Sequence, residues 1–415
     1  MSNVLKVVDM VKKEALRIAH EKLSFIGTVD RQFDESFKYQ ASRGPNGQTL
    51  RVRDPNQYIR RQGSRVMDVQ DQNESTQTIT VATQDGVDMR FNSAELVQSV
   101  NSESAFDDLS KNYIEPAMAT VCSGIEADFL AFATKATYNV AGTAGTAITT
   151  LSVPGLARAK INQGLAPKDR RAIQMDSVTM AGLVNGTAAY FAPNNDISSQ
   201  YREGLVKRTA MADYYENERV WTMTNGADVT GDTDAAALVT DGGTTIDMHT
   251  LIAVADQRVG QVFTVAGVYA CNPETKAAYA HLQQFSITAI GATTTTISPA
   301  TILTGAKKNV VSSTGGTLAT TDFNAKAIVF VGAASTSYAQ SLMYHKEAFQ
   351  FITAELPILD DAHKCQTISK EGLSIRMWMG SDIRNDELLM RMDILYGMAA
   401  LRPAWASRLV GAAAS

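Results

Sequence analysis

The chain has 415 residues, a mass of 44.8 kDa and a net charge of −5. Its length predicts two or three domains, and 45% hydrophobic with 20% charged residues excludes a disordered or fibrous chain. A protein that grips phosphates usually carries a basic surplus, so the acidic balance argues against nucleic-acid binding as the main task. An acidic wall is still suited to enclosing DNA without adhering to it.

The three cysteines, Cys122, Cys271 and Cys365, are far apart in the sequence. This spacing argues against a disulfide framework and favours a reducing compartment. The first residues show no basic segment followed by an apolar one, so no signal peptide is predicted. Since no stretch approaches eighteen uncharged apolar residues, we also expect no membrane contact.

An amphipathic helix is predicted over residues 4–26, because apolar residues recur there at three- and four-residue steps. Ser2 or Asn3 can cap this helix and Gly27 can end it. The apolar stripe must be buried, either against the chain's own core or against a neighbouring chain. We therefore interpret residues 1–30 as an N-terminal arm, with Gly27 as its candidate hinge.

The segment from residue 31 to 74, here called the extended loop, is basic and poor in apolar residues. The alternation in Leu50–Arg53 and the turn residues that follow predict an exposed hairpin without its own core. It is either a solvated surface loop or an arm that lies across an acidic neighbour, and its length favours the arm. The candidate subunit contacts are Arg51, Arg53, Arg60, Arg61 and Arg65.

A hairpin and a long helix are predicted next. Ser75–Thr83 and Val87–Phe91 should pair across a tight turn at Asp85-Gly86. The longest helix, called the spine helix, is predicted over about 103–135 and would be about 50 Å long. Pro116 should kink the spine helix because proline removes a backbone donor, which makes Pro116 a candidate hinge.

The composition changes in the second half of the chain. Residues 154–222 mix helix and strand, whereas residues 223–305 contain only nine charged side chains and are rich in Thr and Gly. Alternation in Val262–Ala266 and Phe285–Ala289 predicts a small β-barrel inserted into the preceding domain. The chain closes with two predicted strands, Leu373–Met379 and Glu387–Tyr396.

Motifs for catalysis are not found in the sequence. There is no phosphate loop, dinucleotide motif or nucleophile elbow. His363 and Cys365 lack further ligands at zinc spacing, and the adjacent Asp360 and Asp361 are interpreted as a solvated turn. We expect no catalytic residues, no cofactor and no metal. Trp221, Trp378 and Trp405 are predicted to be packing anchors.

The end of the chain, Arg391–Leu409, resembles the closing signature of phage coat proteins of the P-twenty-two podovirus type. The likeness recurs in chain order over about 320 residues. Further matching stretches are Gly86–Leu96, Phe106–Asp128, Gly164–Pro167, Tyr201–Arg208, Arg258–Val268 and His345–Pro357. The signature residues at the end are Arg391, Asp393, Tyr396, Gly397, Arg402 and Pro403.

This resemblance implies the α+β Hong Kong 97 capsid fold. Its parts would be the N-terminal arm (1–30), the extended loop (31–74), a peripheral domain with the spine helix (75–140 and 365–415), an axial domain (141–222 and 321–364) and an inserted β-barrel domain (223–320). The implied function is a major capsid protein that assembles as hexamers and pentamers. They would form an icosahedral procapsid and then an expanded head enclosing double-stranded DNA.

The resemblance also implies partners and a location. Copies of the chain itself, a scaffolding protein, a portal protein and a decoration protein are the implied partners, and the virion is the implied location after assembly in the host cytoplasm. Two other interpretations are a cellular nanocompartment shell of the same fold, as in encapsulins, and a hydrolase with an unrecognised motif. The Thr/Gly-rich insert favours the viral shell over the nanocompartment.

Overall fold

The computed structural model describes residues 23–31, 49–61, 63, 65–67, 69–70, 76–92, 113–187, 212–233, 239–248, 252–356, 364–370 and 373–413. The first part of the predicted N-terminal helix, residues 103–112 of the spine helix and the Tyr201–Arg208 motif lie outside these residues. The described part is mixed α/β and consists mostly of sheets. Contacts divide the chain into a first unit (Met1–Val52, Thr76–Phe129 and Phe349–Ala399) and a second unit (Arg53–Ser75, Leu130–Ala348 and Ala400–Ser415).

The helices are α1 (Ser24–Thr28), α2 (Glu115–Ala136), α3 (Ser152–Gln163) and α4 (Ser177–Thr187). The first ten strands are β1 (Thr49–Arg53), β2 (Thr76–Thr80), β3 (Thr83–Asn92), β4 (Val140–Ala141), β5 (Arg171–Met175), β6 (Asp213–Glu216), β7 (Thr222–Thr224), β8 (Thr230–Asp232), β9 (Gly243–Ile246) and β10 (Val262–Cys271). The remaining strands are β11 (Ala278–Ile290), β12 (Thr295–Thr301), β13 (Val310–Val311), β14 (Ala327–Phe330), β15 (Ser337–His345), β16 (Phe349–Ala354), β17 (Lys364–Lys370), β18 (Leu373–Asp382), β19 (Glu387–Ala400) and β20 (Ala406–Ala413).

The main sheet of the first unit is built around β19. Its order is β16-β19-β18-β17, and β3 also pairs with β19. The antiparallel pair of β18 and β19 confirms the two closing strands predicted from the sequence. Residues 373–377 of β18 are all buried, and in β19 Met392, Asp393 and Ile394 are buried in succession, as in strands that are covered on both faces.

The predicted tight turn at Asp85-Gly86 is wrong. Both residues lie inside β3, which pairs with β19 in register from Thr83 to Asn92. A Cβ on Gly86 would collide with the Met392 carbonyl, so glycine serves here for close strand approach rather than for a turn. Ten residues of continuous pairing therefore override the local turn preference of an Asp-Gly pair.

Aromatic side chains hold α1 and α2 in the core of the first unit. The rings of Phe25 and Phe129 are 4.9 Å apart, and Phe129 lies 5.5 Å from Phe351. The buried Glu126 carboxylate accepts hydrogen bonds from Ser24 Oγ (2.8 Å) and from the Phe25 N–H (2.6 Å). This carboxylate satisfies a free donor at the start of α1, which offsets the cost of its burial.

The described spine helix, α2, ends one residue after the predicted end. Pro116 lies in its first turn, directly after a π-helical turn at Tyr113-Ile114. The helix is long and apolar enough to cross a membrane, with a mean hydropathy of 1.2 over 18 residues, but half of those residues are buried within the protein. A core helix can have the same length and composition, and the ring contact of Phe129 with Phe25 indicates a core helix here.

A six-stranded sheet forms the centre of the second unit. Its order is β4-β20-β15-β5-β6, and β7 also pairs with β15. All five residues of β5 are buried, and Ile173 packs in one cluster with Ile161 of α3 and Leu183 of α4. The alternation of α3, β5, α4 and β6 confirms the predicted mixture of helix and strand over residues 154–222.

A seven-stranded sheet in the second unit comes from residues 230–330 and has its own apolar core. Its order is β8-β14-β10-β11-β12-β9, with β13 paired to β10. Phe285 and Phe330 flank Phe263, with ring centroids 5.7 and 5.5 Å from it. The insert was expected to span residues 223–320, and the strands of the seven-stranded sheet do not follow these limits. β7 belongs to the six-stranded sheet, and β14, beyond residue 320, pairs with β10 and β8.

Candidate functional site

The five candidate contact arginines lie on the extended loop and are exposed. Arg51 and Arg53 belong to β1, which pairs with β2. The strand predicted around Leu50–Arg53 is therefore present as β1, but it pairs with β2 rather than with a second strand inside the extended loop. Arg60, Arg61 and Arg65 follow in the irregular part of the loop.

Backbone contacts give the tip of the extended loop a defined shape. The Gln70 side chain accepts a hydrogen bond from the Ile59 N–H (2.8 Å) and donates one to the Ile59 carbonyl (2.6 Å). The Arg61 guanidinium donates to the Val66 carbonyl. These contacts close the segment between residues 59 and 70, so that its side chains are presented together.

The same tip exposes large apolar side chains. Val66 and Met67 are 77% and 78% exposed, and Val69, Tyr58 and Ile59 are exposed beside them. Apolar groups interspersed with arginines are typical of a protein–protein contact surface, because the apolar groups supply burial and the arginines supply specificity. This mixture favours a contact arm over a solvated loop.

Asp393 of the C-terminal signature is the centre of a buried charge cluster in the first unit. Its carboxylate is 1% exposed and accepts hydrogen bonds from Arg376 Nη2 (2.7 Å) and Arg391 Nε (2.6 Å). Burial alone would raise the pKa of this carboxyl, but the hydrogen bonds from Arg376 and Arg391 outweigh burial and lower it. Arg376 was not singled out from the sequence. The sequence feature that could have identified Arg376 is its position as the one charged residue among the apolar side chains at the start of β18.

Tyr396 and Gly397 fill a packed site next to that cluster along β19. The Tyr396 ring stacks on Phe351 at 5.6 Å, and burial raises the pKa of its hydroxyl to about 12. A Cβ on Gly397 would collide with the Thr80 carbonyl. These two signature residues are therefore structural, since each allows close packing that a different residue would prevent.

Arg402 and Pro403 lie in the second unit, at the 3₁₀ turn Pro403–Trp405. The Arg402 guanidinium lies 4.2 Å from the centre of the Trp405 ring and pairs with Glu347 at 3.3 Å. Trp405 Nε1 donates to the Gly164 carbonyl (2.9 Å), which makes Trp405 a packing anchor as predicted. The signature residues therefore divide between the two units.

Arg408, on β20, is a further buried residue that sequence reasoning missed. Its guanidinium donates to the carbonyls of Thr137 (2.7 Å), Gly260 (2.6 Å) and Lys135 (3.2 Å), and to Ser286 Oγ (2.9 Å). Burial lowers the pKa of Arg408 to about 9, so the side chain is still charged at neutral pH.

Carbonyls at the end of α2 compensate part of the Arg408 charge, because the C-terminus of a helix is negative. The four acceptors come from the end of α2, from the loop before β10 and from β11. One side chain thereby joins the six-stranded sheet to the seven-stranded sheet.

The two hinge candidates, Gly27 and Pro116, are both exposed. Gly27 was predicted to end its helix, but α1 continues through it to Thr28. Its neighbours Phe25, Ile26 and Val29 are buried. Pro116 lies in the first turn of described helix, where its missing N–H costs less than in a helix interior. Both hinge assignments stay predictions.

Metal-binding side chains are not clustered in the described ranges. No set of three or more His, Cys, Asp or Glu there could hold a metal ion. His363, Asp360 and Asp361 lie outside those ranges. Cys122, Cys271 and Cys365 form no disulfide bond.

A family model matches residues 215–411, just under half of the chain. Its description is "P22 coat protein - gene protein 5". The matched range contains the second half of β6, all of β7 to β19 and most of β20. It therefore includes the seven-stranded sheet and the C-terminal signature. The match supports a phage capsid shell subunit. No curated protein matches the chain at a significant level.

Two solved phage structures and one virus-like particle are similar to the chain. "Mycobacterium phage Che8" is 9% identical with a TM-score of 0.48, over 92% of this chain and 89% of that one. "Capsid of Ralstonia phage GP4" is 8% identical with a TM-score of 0.44, over 88% and 83%. "Crystal structure of virus-like particle from Pyrococcus furiosus" is 7% identical with a TM-score of 0.36, over 97% and 98%. All three TM-scores are below 0.5.

Proposed function

We propose that the chain is the major capsid protein of a tailed bacteriophage of the P22 type and has the Hong Kong 97 fold. The observation that carries the proposal is the coat-protein match over residues 215–411. The resemblance of Gly86–Leu96 and Phe106–Asp128 to the same family extends the likeness to the part of the chain that the match leaves out. A structural coat-protein family suggests a protein that is not an enzyme.

In this proposal the residues 230–330 with their separate core form the inserted domain. The described first unit corresponds largely to the peripheral domain and the rest of the second unit to the axial domain. The autonomy of the insert is supported by its own cluster of buried residues around Phe263. The join through Arg408 fixes that domain to the six-stranded sheet.

The extended loop is proposed to be the contact between subunits. Its exposed arginines and apolar side chains would bind an acidic and apolar surface on a neighbouring copy. Hexamers and pentamers held in this way would form the procapsid around a scaffolding protein and a portal protein. The shell would then expand around double-stranded DNA, with a decoration protein as an additional partner.

Electron microscopy of the purified full-length chain tests this function. Expressed with the scaffolding protein of the same phage, it should form closed shells tens of nanometres across, whereas a soluble enzyme would remain small. Shells that contain scaffold or portal indicate a virus, while shells formed alone around a cellular cargo enzyme indicate a nanocompartment. A monodisperse particle of the subunit's mass under all these conditions would refute the proposal.

A further inference from the structure

A cavity of about 500 Å³ in the second unit has cationic walls. The side chains of Lys160, Lys307, Lys308 and Arg402 line it. The one carboxylate among its described lining residues is that of Asp54. Such a wall contrasts with the net charge of −5 of the whole chain, so the cavity is a local concentration of positive charge.

Lys160, on α3, is the buried cation of this cavity. Its ammonium group donates to the neutral Gln284 side chain, and no carboxylate in the described part of the chain shifts its pKa. Burial lowers the pKa of Lys160 to about 8. A buried ammonium without an opposite charge is costly, and an anion in the cavity would offset that cost.

Neighbouring groups experience the same positive potential. The pKa of His281 is lowered by burial and, in addition, by the charge of Lys160. Burial raises the pKa of the Cys271 thiol, while the charges of Lys276 and Lys308 act to lower it. Lys308 itself donates to the neutral Thr317 hydroxyl at 3.2 Å. Lys160 and Lys308, whose hydrogen-bond partners are neutral, therefore both contribute positive charge to this cavity.

We propose that this cavity binds a small phosphate-bearing anion, with Lys160 and Lys308 as its charged contacts. Multiply charged phosphate compensates several ammonium groups at once, which a single carboxylate cannot do. The volume lies within the usual range of small-molecule sites and exceeds what inorganic phosphate fills. The stacked rings of Tyr279 and His281, 5.5 Å apart, form an aromatic wall against which a nucleotide base could lie. The site does not depend on the proposed capsid function.

Isothermal titration of the full-length subunit at low ionic strength tests the site. The probes are sodium pyrophosphate, adenosine triphosphate, and sodium chloride and citrate at matched ionic strength. Pyrophosphate should bind, and its affinity should fall about tenfold or more in Lys160→Met and in Lys308→Met, since each loses one charge-assisted contact. Lys168→Met, an exposed position outside the cavity, should bind like the wild type.

The source of the phosphate follows from the comparison of probes. If adenosine triphosphate binds more tightly than pyrophosphate, the ligand of the cavity is a nucleotide. If the two bind equally, the ligand is the free anion. Circular dichroism checks that each variant is folded. If Lys160→Met is not folded, the pyrophosphate affinity of Lys308→Met alone decides whether the cavity binds the anion. Unchanged pyrophosphate affinity in a folded cavity variant, or equal heats from citrate, would overturn the proposal.

Discussion

Arg408 is buried in the second unit, whereas Arg60, Arg61 and Arg65 of the extended loop are exposed. The donors of Arg408 are directed at three backbone carbonyls and one hydroxyl within its own chain. The loop arginines stand beside exposed apolar side chains such as Met67. The same residue type therefore stabilises the interior of the subunit in one region and lies at its surface in the other. This difference predicts that substitutions in the two regions separate folding from assembly.

The largest effect is expected from Arg408→Met. It removes the donor from the Thr137 and Gly260 carbonyls, while the Lys135 carbonyl keeps its hydrogen bond from Ser286 Oγ (2.7 Å). An unsatisfied buried group costs about 1–3 kcal/mol. We expect the free energy of unfolding to fall by about 3–5 kcal/mol in urea denaturation, with little folded protein left for assembly. Arg384→Met, at an exposed bend, is the matched control and should leave stability unchanged. A folded Arg408→Met subunit of wild-type stability would contradict the role of Arg408 as a join.

A slightly smaller effect is expected from Asp393→Asn. The change leaves the buried Arg376 without its carboxylate, and breaking a buried ion pair costs about 3 kcal/mol or more. Because the folded pKa of Asp393 is lowered, its contribution is present above the unfolded pKa of about 3.9 and is lost as the pH falls through the folded value. The stability difference between wild type and variant should therefore shrink below about pH 4 in urea titrations. A difference that stays constant with pH would show that the carboxylate charge is not involved.

The boundary of the insert can be tested with two fragments. Residues 223–312 lack β14, and with it the buried Ile328 and Phe330, whereas residues 223–333 retain them. We expect a cooperative thermal transition by circular dichroism only for the longer fragment, because its core is complete. Equal cooperative melting of both fragments would show that β14 is dispensable to this domain.

Arg60→Glu together with Arg61→Glu should leave the stability of the subunit within about 0.5 kcal/mol, since both positions are exposed. The yield of shells should nevertheless fall strongly, because every copy in a shell would repeat the lost contact. Arg158→Glu together with Arg384→Glu, both outside the loop, provides a control of the same charge change. Normal shell yield from the double variant, measured by sucrose-gradient sedimentation, would refute the loop as a contact arm.

The smallest effect on stability is expected from Pro116→Ala. Proline in the first turn of a helix costs little, so the melting temperature should change by a few degrees at most. If Pro116 is a hinge, the variant shell should expand at a different temperature, and hydrogen exchange near residues 113–120 should differ between procapsid and expanded shell. Identical expansion and exchange would leave Pro116 as a tolerated helix start.

The sequence determined by itself those elements whose patterns are strong and local. The alternation in β18 and β19, the apolar spacing of α2 and the composition change at the seven-stranded sheet were each visible in one stretch of chain. The exposure of the loop arginines could also be predicted from the sequence, because a segment poor in apolar residues cannot bury them.

Only the tertiary structure decided the features that depend on distant residues. Asp85-Gly86 became strand because β19, some 300 residues later, pairs with it, and β14 joined the seven-stranded sheet through its pairing with β10. Arg408 and Lys160 looked like ordinary surface cations in the sequence. Their burial is set by carbonyls and amides from other elements. The free energy of a buried charge depends on the groups packed around it, and a local pattern contains no information about those groups.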